Sequence, residues 1–87
     1  MTKTATQVEA ELASLLQAMA FTYADGQRPT DQHAADMKRI GQELNAIGGM
    51  ELMQAALQRA TEPHFEYYER LSGFCDHSWN GIGGWLA

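Results

Sequence analysis

Between Val8 and Tyr23, the side chains of Val8, Leu12, Leu15, Leu16, Met19 and Tyr23 recur at the three- and four-residue spacing of one helix face. A strand alternates its side chains between two faces and could not gather this set on one side. The pattern therefore commits the first quarter of the chain to an amphipathic helix that needs a partner to cover its stripe. Little elsewhere competes with that reading. Valine occurs once, at Val8, and isoleucine three times, at Ile40, Ile47 and Ile82, a scarcity of β-branched residues that argues against a sheet.

The expected fold is all-α, a compact antiparallel bundle of three to four helices. Thr6-Gln7-Val8-Glu9 reads as a capping box that starts the first helix, and Asp25-Gly26 ends it. After the turn at Gln27-Arg28-Pro29, Thr30 or Asp31 caps a second helix. Its seam is Met37, Ile40, Leu44 and Ile47, and Gly48-Gly49 terminates it. Gly41 lies on that seam, where glycine costs about 1 kcal/mol against alanine; close approach by another helix would compensate. A third helix runs from Met50 to about Ala60. Thr61 and Pro63 then start a fourth, preferred over one kinked helix from Met50 to Ser78 because a cap and a proline agree. On the fourth helix Phe65, Tyr68, Leu71, Cys75 and Trp79 face one way. The apolar Gly/Trp tail, Ile82 to Ala87, is expected to pack back on the bundle. The core is read as Leu12, Leu15, Leu16, Met19, Ile40, Leu44, Ile47, Met53, Leu57, Tyr68 and Leu71.

With 87 residues the chain is one helical domain, 1–87. Its net charge of −5 argues against direct nucleic-acid binding and against an anionic membrane surface, because phosphates would be repelled. No apolar run is long enough to span a bilayer, and the start of the chain has no signal-peptide core. One cysteine, Cys75, fits a reducing compartment, so a cytoplasmic location is expected.

Tests for chemistry fail individually. Cys75 and His77 are two apart and diverge on a helix, and there is no second cysteine or Glu-x-x-His pair, so no metal site or cofactor is read. Glu62, Glu66 and Glu69 share a helix face beside His64, but nothing implies the dry pocket that acid–base catalysis requires. No catalytic residue is assigned; Cys75 reads as a small core hydrophobe. A small ligand-binding or enzymatic bundle around Cys75, His77 and Glu66 is the weakest alternative. What remains is surface. Glu62, Glu66, Glu69, Tyr67, Trp79 and Trp85 form a candidate partner-binding face, because aromatic residues are enriched at interface hot spots. Trp79 and Trp85 serve equally well to close the end of a small core.

Two stretches, Ile40-Gly41-Gln42-Glu43-Leu44-Asn45-Ala46-Ile47-Gly48-Gly49 and Trp79-Asn80-Gly81-Ile82-Gly83-Gly84-Trp85, carry an IG-x-x-LN-x-IGG centre and a W-x-GIG-x-W ending. In these the chain resembles a group of small uncharacterised bacterial proteins of conjugative elements, plasmids and prophages. The resemblance implies a mobile-element or phage accessory protein and transfers no catalytic residue. The leading functional expectation is a non-enzymatic protein that occupies a surface of a host or defence protein, as anti-CRISPR inhibitors do. The alternative is a homodimeric structural protein whose Met37–Ile47 seam is partly exposed.

Overall fold

The computed structural model describes residues 3–86; Met1, Thr2 and Ala87, part of the expected domain 1–87, lie outside the described residues. The elements are α1 (Ala5–Ala24), α2 (Asp31–Thr61), a 3-10 helix (Glu62–Tyr67) and α3 (Tyr68–Trp79), with no strand among the described residues. The all-α expectation is met. The Cα radius of gyration, 12.0 Å, is what a folded chain of this length shows. No helix among the described residues is long and apolar enough to cross a membrane.

α1 starts two residues earlier than expected. Thr4, not Thr6, is the cap: its hydroxyl accepts from the Gln7 amide, and the Gln7 side chain accepts from the Thr4 amide. Both Thr4-x-x-Gln7 and Thr6-x-x-Glu9 fit the pattern, and the earlier box gains an extra half-turn of helix. The C-terminus follows the reading at Asp25-Gly26. Gln27 N–H donates to Thr22 O and Gly26 N–H to Tyr23 O, the paired bonds of a Schellman cap.

Thr30 caps α2, with His33 as the reciprocal partner, its Nδ1 accepting from the Thr30 amide at 3.1 Å. Glu11 of α1 pairs with Arg39 and Glu11 shares Lys3 with Glu43, while Ala18 faces the Gln32–His33 end, so α1 and the first half of α2 run antiparallel. α2 is interrupted at Gly49, whose φ of 68° belongs to the left-handed region open to glycine. The break lies where Gly48-Gly49 was expected to end the helix, and the chain resumes helical geometry immediately.

Two boundaries differ further on. Thr61 does not cap a fourth helix: its hydroxyl donates back to Leu57 O at 2.8 Å and Gln58 O at 3.1 Å. Pro63 sits in the 3-10 segment, and α3 begins only at Tyr68. A 3-10 turn holds about three residues rather than 3.6, so it shifts the phase of everything before α3 against a continuous helix. Phe65, inside the 3-10 segment, leaves that phase and turns outward; Tyr68, the first residue of α3, is exposed as well, although its spacing from Leu71, Cys75 and Trp79 predicted burial. Tyr68 is 51% exposed and leaves the predicted core. Ile47, at the last position of its seam beside the Gly49 break, is 38% exposed and leaves it too.

The remaining predicted core residues, from Leu12 to Leu71, are buried, joined by Val8, Met37, Ala56, Cys75, Trp79 and Trp85. Beyond α3 the chain reverses through Ile82 N–H to Trp79 O and Trp85 N–H to Ile82 O, which folds the tail back on the bundle.

Candidate functional site

Of the six residues expected on a partner-binding face, the structure keeps three fully at the surface. Glu62, Glu66 and Glu69 are exposed on the 3-10 segment and the first turn of α3. Tyr67 is half-buried, its ring stacked on Tyr23 at 6.3 Å between centroids, with the Arg70 guanidinium 5.6 Å from the Tyr23 ring centre. Trp79 and Trp85, expected on that face, lie in the core instead. Trp79 is fully buried, its Nε1–H donating to Met37 O at 2.7 Å. Trp85 meets it edge-on, 5.0 Å away at 81°, and its Nε1–H donates to Asp76 Oδ1 at 2.9 Å. Each indole thus has its polar atom satisfied and its body packed, which is how a tryptophan closes a core.

The surface that does form was missed in the sequence because it depends on where the 3-10 segment ends and α3 begins. Phe65, 76% exposed, and Tyr68 stand on one side of a groove of about 600 Å³. The second half of α2 contributes Gln54, Leu57, Gln58 and Thr61 to it; Ser72, Asp76 and the edge of Trp85 complete the lining. Pro63 was the available signal, since a proline-initiated turn can leave helical phase.

Electrostatically the groove is one-sided. Among the described residues its charged lining is Glu62 and Asp76, with no lysine, arginine or histidine. Among the described residues, Glu62, Glu66, Glu69 and Asp76 enter no ion pair. Three of the six lysines and arginines are engaged elsewhere, while Arg70 lies beside Glu66 and Glu69 on the outer side of Phe65 and Tyr68. Lys3 pairs with Glu11 and Glu43 at 3.1 and 3.3 Å, Arg39 with Glu43 and Glu11 at 2.7 and 3.6 Å, and Arg59 with Glu9.

The enzymatic alternative is not assembled. Cys75 is fully buried in the core, as expected, while His77 and Glu66 point to solvent. Burial, aided by the charge of Asp76, pushes the Cys75 thiol far above its ordinary pKa, the opposite of what a nucleophilic thiolate needs. Among the described residues no three His, Cys, Asp or Glu side chains converge as a metal-ligand group. The seam of the dimer alternative is covered from within: Met37, Ile40 and Leu44 are buried in the monomer, and only Ile47 reaches the surface. The chain matches no protein-family model, no curated protein and no solved structure.

Proposed function

We propose that this protein is a non-enzymatic protein-binding accessory protein that acts in the cytoplasm by occupying a surface of a larger partner. The observation that carries this reading is the outward pair Phe65 and Tyr68 set among Glu62, Glu66 and Glu69. A folded domain with a thin core has little reason to leave two large aromatics in water together, and aromatic side chains dominate binding hot spots. The three acids outnumber Arg70, the cation beside them, which keeps the face soluble when free and favours a basic partner. The IG-x-x-LN-x-IGG and W-x-GIG-x-W motifs support a mobile-element or phage source, and with it an inhibitory role against a host or defence protein.

The test is co-purification from bacterial lysate with three tagged forms: wild type, Phe65→Ser/Tyr68→Ser, and Glu62→Lys/Glu66→Lys/Glu69→Lys. A protein retained by the wild type and lost by both variants is the expected result. The same retained set for all three forms would overturn the reading. Trp85→Ala is unsuitable here, since it removes a core residue.

A further inference from the structure

Resting on that reading, we propose that the groove between the second half of α2 and α3 receives a basic amphipathic helix, its apolar side chains seated on Leu57, Phe65, Tyr68 and Trp85 and its Lys or Arg side chains facing Glu62 and Asp76. The occupant follows from the chemistry of the walls. The groove lies between helical segments whose backbone groups are mostly bonded within their own helices, so an extended peptide would find no strand edge to pair with. A helix brings its backbone already satisfied and presents only side chains, the helix-in-groove mode of recognition.

Charge then decides what kind of helix. Both charged lining residues are acidic, and beyond Phe65 and Tyr68 the neighbouring concavity holds Glu66 and Glu69 with one cation, Arg70, so acids outnumber cations there too. Asp76 receives the Trp85 indole through Oδ1, and no bond to its other oxygen occurs among the described residues. Gln54 and Gln58, one helical turn apart on α2, add amides that bond to either sign of partner. A second copy of this chain would set these acids against their own equivalents, and a phosphate-bearing surface would be repelled in the same way. A cationic helix gains where both of those lose.

The probe is a capped Leu/Lys peptide of about 18 residues, five helical turns, with leucine at three- and four-residue spacing and lysine elsewhere. Two companions carry glutamate for lysine, or serine for leucine. Binding is read by amide and indole NMR shifts of the full chain. The Leu/Lys peptide should move the Trp85 indole and the amides of residues 57, 65 and 68, and bind at least about tenfold more tightly than either companion. Glu62→Lys and Phe65→Ser/Tyr68→Ser, all at exposed positions, should each weaken it by at least about tenfold. Asp25→Lys/Glu51→Lys, larger in charge change but placed outside the groove lining, should weaken it less than about twofold.

Absence of binding, equal binding of the lysine and glutamate peptides, shifts centred away from the groove, or a full effect of the control variant would each overturn the proposal. If the peptide fails while partner co-purification still depends on Phe65 and Tyr68, the helical occupant is wrong and the protein-binding reading stands. If the peptide seats in the groove while no variant alters co-purification, the groove chemistry stands and the accessory function falls.

Discussion

The indole of Trp79 packs against the bare backbone of Gly41, so closely that a Cβ at position 41 would lie 2.5 Å from its Cδ1 and Nε1. The same Nε1–H reaches the carbonyl of Met37, one turn earlier on α2. The glycine that weakens the middle of α2 is thus the notch that admits the largest core side chain. Gly41→Ala should lower stability by about 2–3 kcal/mol, because a clash with a ring fixed by its own hydrogen bond exceeds the roughly 1 kcal/mol gained in helix propensity. Urea unfolding measures this, and Gly41→Ala/Trp79→Leu should lose less than the sum of the single changes.

Acid should weaken the fold partly through Glu43. Burial raises its carboxyl pKa, but hydrogen bonds and charges from Arg39 and Lys3 outweigh burial and hold it below the usual carboxylate value. A carboxylate lowered in this way stabilises the fold above its unfolded pKa, and the contribution fades as pH falls through the folded value. Glu43→Gln should therefore be less stable than wild type near neutral pH, with the difference closing in acid. Thermal unfolding across a pH series checks it, and added salt should shrink the neutral-pH gap.

The Cys75 thiol should be inert in the native protein. It is buried and its pKa is pushed upward, so the reactive thiolate is scarce at neutral pH. Alkylation should proceed only as fast as the protein opens, and become rapid in denaturant. Cys75→Ser should cost more stability than Cys75→Ala, by about 1 kcal/mol or more, because it buries a hydroxyl in an apolar site.

At the start of α2 the cap depends on an acceptor at position 33. Thr30→Ala should cost about 1 kcal/mol. His33→Gln supplies an amide oxygen in the role of Nδ1 and should stay within about 0.5 kcal/mol of wild type, while His33→Ala loses the reciprocal bond. Chemical denaturation of the three variants separates these outcomes.

Two of the three aromatic residues lining the groove, Trp85 and Phe65, should part company in stability. Trp85→Ala should cost about 3 kcal/mol or more, since it empties a packed site and strands Asp76. Phe65→Ser, at a position largely in water, should stay within about 0.5 kcal/mol of wild type. Calorimetry of both variants, beside the co-purification assay, distinguishes a binding residue from a core residue.

What local sequence determined is whatever local spacing controls. The stripe from Val8 to Met19 is buried as its periodicity requires, Gly26 and Gly49 stop or bend the chain where their conformational freedom is needed, and the absence of strands among the described residues accords with the scarcity of β-branched residues. Tertiary structure decided what depends on phase and on distant partners. Phe65 turns outward on a 3-10 segment whose smaller turn a helical repeat does not reveal, and Tyr68, at the first position of α3, is exposed where its spacing from Leu71 and Cys75 predicts burial. The fate of Trp79 was settled by a carbonyl 42 positions away and by the space left at Gly41, neither of which is visible in the residues around it. A tryptophan near a glycine-rich end suits a core and an interface equally well in sequence. Only the fit of its ring and the pairing of its N–H choose between them.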